Sequence, residues 1–153
     1  MECPAAIPGR KCIPSERLEI TTQIKYTMHT TTPLKTLIVD PDPRIHEAYA
    51  YFFNTYRDYA LAGIYRSAEE ALSGCESDPP DFILMETRLA GMTGVKGICE
   101  FRKKDPEARI IMVSADNEFN TIKKAFKNGA VGYLAKPVTR ERLKDALDAI
   151  RFE

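Results

Sequence analysis

The sequence predicts an α/β domain: a doubly wound, five-stranded parallel sheet with helices on both faces. Three observations carry that reading. Short runs that are apolar at every position recur along the chain, as strands buried on both faces require. Between them stand segments whose apolar residues repeat at helical spacing. About five such strand–helix pairs fit within the 153 residues, a length suited to one domain. That count and alternation fit the flavodoxin-like strand order 2-1-3-4-5.

The elements follow in order from Leu34. Leu37-Ile38-Val39 is the first strand, ended by Asp40. Ile45, Ala48, Tyr49, Phe52, Phe53 and Tyr56 mark the first helix. Asp42 is placed to cap it, and Pro43 occupies the first helical position, where a missing N–H costs nothing. Ala60 to Tyr65 reads as a weaker second strand. Ser67 caps a helix whose inner face is Ala68, Ala71, Leu72 and Cys75. Phe82 to Met85 is the third strand, and Gly91 and Gly94 punctuate the loop before a helix carrying Val95, Ile98 and Cys99. Ile110 to Val113 is the fourth strand. Ile122, Ala125 and Phe126 mark the fourth helix, stopped by Asn128-Gly129. Val131 to Leu134 is the last strand, and Leu143, Ala146, Leu147 and Ile150 line the last helix.

Residues 1–33 differ from the rest. Four prolines and a Thr30-Thr31-Thr32 run leave too few apolar side chains to offset ordering entropy, so this segment is expected to be mostly disordered. A short element near Leu18 to Tyr26 is the weakest feature of the chain. The domain proper is expected over 34–153.

Composition bounds the function. Lys+Arg and Asp+Glu both total 22, so no net field draws the chain to nucleic acid or to an anionic membrane. No apolar run reaches membrane-spanning length and no signal-peptide core is present, so a cytoplasmic location is expected. Cys3, Cys12, Cys75 and Cys99 lack CxxC or His-paired spacing and read as free thiols.

In doubly wound sheets ligand chemistry sits at the carboxyl ends of the strands. Here those ends are Asp40, Glu86, Ser114 and Lys136. Two carboxylates, a hydroxyl and a compact cation would suit a phosphoryl group. They would equally make a polar cluster tied by a carboxylate–lysine ion pair. Both readings stand on the chemistry alone. A nucleotide-binding loop does not, because Asp40-Pro41-Asp42-Pro43 has the wrong charge and lacks an N–H at each proline.

Five blocks in order decide the matter further: Leu37-Ile38-Val39-Asp40, Pro80-Asp81-Phe82-Ile83-Leu84, Arg88 to Gly94, Val113-Ser114-Ala115 and Gly129 to Pro137. Together they resemble the receiver domains of bacterial response regulators, over roughly Leu34 to Phe152. The resemblance implies a role in two-component or phosphorelay signalling. It places Asp40 in the family's acidic pair, Glu86 at the phosphoacceptor, Ser114 at the switch hydroxyl, Tyr133 at the switch aromatic and Lys136 at the invariant lysine. It also implies a Lys136–Pro137 bond that is often cis, and a metal contact from the Arg88 carbonyl.

The departures shape the expectation. Pro41 stands where the second acid, the usual magnesium ligand, belongs, and Glu86 stands where the family has aspartate. Thr93 replaces another acid but can still cap the next helix. Asp42 is better explained as a cap than as a replacement ligand. Mg2+ depends on carboxylate oxygens in near-octahedral array, so this set would hold it weakly at best and no cofactor is expected. Glutamate also carries its carboxylate about 1.5 Å farther out, and a ~1 Å misplacement can cost about a hundredfold in rate. The sequence therefore points to a pseudo-receiver that is not an enzyme. Its Glu86 would either imitate the phosphorylated state or mark a dead site kept as scaffold. The alternative is a weakly phosphorylatable regulator served by a histidine kinase.

Two opposite charges ~4 Å apart are worth roughly 4 kcal/mol gross at an effective dielectric of 20. Desolvation removes much of it, yet the rest could bias a switch whose gap is a few kcal/mol. With no output module after the last helix, output would pass through a partner, such as a histidine kinase or a downstream effector. By the resemblance the reading face is the fourth helix, last strand and last helix, with Lys123, Lys124, Lys127, Tyr133, Arg140, Arg142 and Lys144. That face would be plain solvated surface, a dock for a partner, or a homodimer contact.

Overall fold

The computed structural model describes residues 32–151. The expectations for the preceding segment, including the element near Leu18 to Tyr26 and the free thiols of Cys3 and Cys12, lie outside the described residues.

Strands β1 (Leu34–Val39), β2 (Tyr59–Tyr65), β3 (Phe82–Met85), β4 (Arg109–Ser114) and β5 (Gly132–Ala135) alternate with five helices. The helices are α1 (Pro43–Thr55), α2 (Ala68–Gly74), α3 (Gly94–Lys104), α4 (Phe119–Lys127) and α5 (Arg140–Arg151). All neighbours pair in parallel in the order β2-β1-β3-β4-β5. This is the doubly wound arrangement expected from the alternation of buried runs and amphipathic helices.

Leu37–Val39, Phe82–Met85 and Ile110–Val113 of the central strands are apolar at every position because each face meets helices. Leu37, Val39, Ile83, Met85, Ile110 and Met112 pack on α2, α3 and α4. Ile38, Phe82, Leu84, Ile111 and Val113 point the other way, onto Tyr49 and Phe53 of α1 and Leu143, Leu147 and Ile150 of α5. The period of two along each strand separates these two layers.

The caps are those the sequence supplies. Asp42 accepts the Arg44 N–H at 3.0 Å, with Pro43 opening α1. Ser67 accepts from Glu70 N–H and Thr93 from Lys96 N–H, each at 3.2 Å. Gly129, at φ 113°, ends the turn after α4 as Asn128-Gly129 forecast. Lys136–Pro137 is cis. Cys75 and Cys99 are free thiols.

Several details differ from the sequence reading, β5 among them, which runs one residue later than Val131 to Leu134. β2 begins at Tyr59, whose ring is buried. In α3, Phe101 is buried while Val95 and Cys99 are only partly covered. Phe126, expected inside, is 47% exposed, and Ala125 alone carries the full burial of α4. The stripe Ile122–Ala125–Phe126 is wider than the face a nine-residue helix turns to the sheet.

Candidate functional site

Four strand ends converge because the ladder continues one residue past each strand. Asp40 N–H donates to the Tyr65 carbonyl, Glu86 N–H to the Val39 carbonyl and Lys136 N–H to the Ser114 carbonyl, all at 2.9 Å. These bonds fix Asp40, Glu86, Ser114 and Lys136 side by side before any side chain acts. Gly94 then lets α3 close over the loop. A Cβ there would lie 2.2 Å from the Glu86 carbonyl oxygen.

Lys136 bridges the two carboxylates. Its Nζ donates to Asp40 Oδ2 at 2.7 Å and to Glu86 Oε1 at 2.6 Å. Asp40 Oδ1 accepts the Asp42 N–H at 2.9 Å. Glu86 Oε2 accepts the Arg88 N–H and the Thr87 hydroxyl, both at 3.0 Å. Every oxygen of the two carboxylates therefore has a protein donor. Pro41 contributes no side-chain ligand, and Asp42 is engaged with Arg44 at 2.9 Å. Among the described residues no group of three His, Cys, Asp or Glu side chains converges as a metal would need.

Burial raises the proton affinity of Glu86, but the Lys136 hydrogen bond, the Arg88 N–H and the Lys136 charge outweigh it. Its carboxyl is held below the usual range and stays ionised. Burial acts in the opposite sense on Lys136, and its bonds to Asp40 and Glu86 again prevail, raising it. Tyr49, packed beneath from α1, is pushed up by burial and by the charges of Asp40 and Glu86.

On the β4 side lies a second network. Ser114, 1% exposed, places Oγ 2.5 Å from Thr87 Oγ1 and accepts the Asp116 N–H at 3.1 Å. The Tyr133 hydroxyl donates to the Asp116 carbonyl at 2.5 Å, and its ring packs against the buried layer. Asp116 also organises the start of α4, accepting from Glu118 N–H at 2.9 Å and the Thr121 hydroxyl at 3.2 Å. Burial raises the Tyr133 phenol above its ordinary value.

The site thus gathers Asp40, Glu86, Ser114, Tyr133 and Lys136. Sequence reasoning missed Thr87, Asp116 and His46, whose Nε2 meets the Asp40 carbonyl. Position gave a signal for two of them. Thr87 follows Glu86 directly, and Asp116 stands just before α4, where short polar side chains cap.

The expected basic face divides. Lys123, Lys124 and Lys127 on α4 are exposed, and none makes an ion pair among the described residues. The α5 residues are engaged locally. Arg140 pairs with Glu141 at 2.8 Å, Arg142 donates to the carbonyls of Ala135 and Pro137, and Lys144 pairs with Asp148 at 2.7 Å beside the Tyr59 ring. Lys144 therefore belongs to the α1–β2 side of α5 and does not extend the α4 cluster.

Among the described residues no helix is long and apolar enough to cross a membrane. The probable C4-dicarboxylate response regulator DctR of Bacillus subtilis is 30% identical over 114 residues, covering 74% of this chain and 50% of that protein. The positive alginate biosynthesis regulatory protein of Pseudomonas aeruginosa is 33% identical over 115 residues, covering 74% of this chain and 46% of that protein. The chain spans about half the length of the curated relatives it matches. The solved receiver domain of the putative response regulator NarL from Mycobacterium tuberculosis superposes with a TM-score of 0.74 at 23% identity, over 80% of this chain and all of that one. A chain of the CheX–CheY–BeF3–Mg complex from Borrelia burgdorferi gives 0.74 at 20% identity, over 79% of this chain and 91% of that one. These two likenesses show the fold. Residues 36–148 match the response regulator receiver domain, and with the strand order and the strand-end site in place the chain belongs to that family.

Proposed function

We propose that this receiver domain signals through protein contact, independently of phosphorylation, with Glu86 as a standing charge where the family carries a phosphoacceptor aspartate. The observation that carries the reading is the occupancy of Glu86. Oε1 is bound to Lys136 at 2.6 Å and Oε2 to two further donors, so the carboxylate is held by the protein and attack on a phosphoryl donor would have to compete with these bonds. Each oxygen of Asp40 and Glu86 already accepts a protein donor, with Lys136 standing between the two carboxylates, and Pro41 removes the side-chain ligand that would compensate. The residues present do not fit that ion.

The arrangement supports a standing active-like state. Ser114 is drawn in against Thr87, which donates to the carboxylate, and Tyr133 is packed inward onto the Asp116 carbonyl. The docking face is α4, where Lys123, Lys124 and Lys127 stand with the exposed Phe119 and Phe126. Phe119, Lys123 and Phe126 share one side of the helix. A partner offering acidic residues around apolar anchors fits this face. A histidine kinase, a downstream effector or a second copy of the chain could present such a surface.

The test is incubation with acetyl phosphate or beryllofluoride plus Mg2+, read by intact mass and by amide NMR. No adduct and no metal-dependent shift are expected. A stoichiometric phosphoryl adduct would establish the weakly phosphorylatable regulator instead.

A further inference from the structure

Ser114 helps to hold the Glu86 carboxyl ionised, and the short hydrogen-bonded route between them runs through Thr87. Between Glu86 Oε2 and Ser114 Oγ stands the Thr87 hydroxyl, 3.0 Å from the first and 2.5 Å from the second. Thr87 is only 7% exposed, so water does not compete for these bonds. We infer that Thr87 is the positioning residue that transmits the Glu86 charge to Ser114, Asp116 and Tyr133. This rests on the reading of Glu86 as a standing charge and adds the route by which that charge acts.

Proton bookkeeping fixes the direction of the relay. An ionised carboxylate accepts and cannot donate, so the Thr87 hydroxyl must point its proton at Glu86 Oε2. With that proton on Glu86, Thr87 Oγ1 is the acceptor of its short contact with Ser114, and the Ser114 hydroxyl donates to it. Ser114 Oγ in turn accepts the Asp116 N–H at 3.1 Å. The line Asp116 N–H to Ser114 to Thr87 to Glu86 has a single polarity and ends on a negative charge. Each donor in such a line is polarised by the next, so the bonds strengthen one another. The Asp116 peptide is held from its other side by the Tyr133 hydroxyl at 2.5 Å. The side chain that follows the acceptor position thus ties the carboxylate to the loop and aromatic ring that shape the start of α4.

A negative charge is required at the end of the line. A neutral amide at residue 86 could turn its NH2 toward Thr87, reverse that hydroxyl and release Ser114. Loss of the Thr87 hydroxyl would cut the line at its middle while leaving Lys136 between Asp40 and Glu86.

The experiment is 15N–1H and Tyr-ring 13C NMR on the full chain carrying Thr87→Val, Thr87→Ser and Glu86→Gln. Thr87→Val and Glu86→Gln are expected to move the Asp116 amide proton upfield and to shift the Tyr133 ring signals. Thr87→Ser restores the hydroxyl without the methyl and is expected to keep both near wild type. Thr87→Val shifts confined to the loop around residues 86–93 would overturn the inference. So would a Thr87→Ser that matches Thr87→Val, because packing of the methyl would then be the cause. None of these readings depends on phosphate. Phosphorylation of wild type would overturn the functional proposal and leave the relay to stand or fall on these spectra.

Discussion

Glu86 divides the site into two regions held by different forces. Toward β1 and β5, Oε1 meets the Lys136 ammonium, which also binds Asp40 at 2.7 Å. Toward β4, Oε2 meets a hydroxyl and a peptide N–H, and the charges beyond them are the Asp116 carboxylate and the exposed Arg88 guanidinium 4.0 Å from it. The first region contains two buried carboxylates and one cation, so its energy is large and its geometry is dictated by charge balance. In the second the linking groups are neutral, and their bonds are worth about 1 kcal/mol each. Its geometry is dictated by which atom holds which proton. The stability of the strand ends therefore resides on one side of Glu86, and the position of the β4–α4 loop on the other.

Lys136→Met breaks the charged region and is expected to have the largest effect. It leaves Asp40 and Glu86 buried at neighbouring strand ends without a counter-ion. Removing one partner of such a cluster costs about 3–5 kcal/mol, because uncompensated charge stays behind. Urea unfolding would read it, and a midpoint shift equivalent to less than ~1 kcal/mol would mean that solvent screens the cluster. The hydroxyl region should be disturbed only secondarily.

Glu86→Gln touches both regions and separates them by pH. Asp40 retains Lys136 in this variant, so the expected loss at neutral pH is about 1.5–3 kcal/mol, the worth of charged hydrogen bonds. The carboxyl of Glu86 is held below its ordinary value in the fold. Its contribution is therefore complete above the unfolded-state value of about 4.3 and is lost as pH falls through the lower folded value. Lys136 is raised, so its contribution is complete below about 10.4 and is lost as pH rises through its folded value. Wild type and Glu86→Gln should differ most between those limits and converge in acid. A gap that stays constant down to strongly acidic pH would show that Glu86 is not the group being titrated.

The charged region was legible in the sequence, and the hydroxyl region largely was not. Asp40, Glu86, Ser114 and Lys136 each end an apolar run, and a parallel sheet brings run ends together whatever the loops do. Caps at Asp42, Ser67 and Thr93 were legible because they rest on a few adjacent residues. Thr87 sits one step beyond the strand, where the chain leaves the ladder and alternation no longer tells which way a side chain turns. Its contact with Ser114 depends on a bond 27 residues apart. Phe126 failed for a related reason. Spacing alone could not choose between it and Ala125 as the inner edge of α4. The six basic residues of the expected reading face divide into two groups, because a row of charges does not reveal its local partners. Asp148 and the Tyr59 ring draw Lys144 to another side of α5.

The smallest predicted effect sharpens the comparison by repeating one chemical change in two places. Thr36 lies on β1, the strand that ends at Asp40, and is fully buried. Its Oγ1 is the buried side-chain polar atom that, among the described residues, has no hydrogen-bond partner. Thr→Val exchanges a hydroxyl for a methyl of similar shape and keeps the β-branch that suits a strand. At Thr36 the exchange removes a desolvated group that gains nothing in return. Stability should rise by about 1 kcal/mol, the low end of the cost of burying an unpaired hydroxyl. At Thr87 the same exchange deletes a donor to an ionised carboxylate and an acceptor for Ser114, and stability should fall by about 1–3 kcal/mol. Thermal unfolding of the two variants in one buffer decides it. Opposite signs would show that partners, not burial, set the value of a hydroxyl in this domain. Two losses would show that Thr36 is satisfied by a buried water, and that the contrast between the two ends of the sheet is one of solvent rather than of protein chemistry.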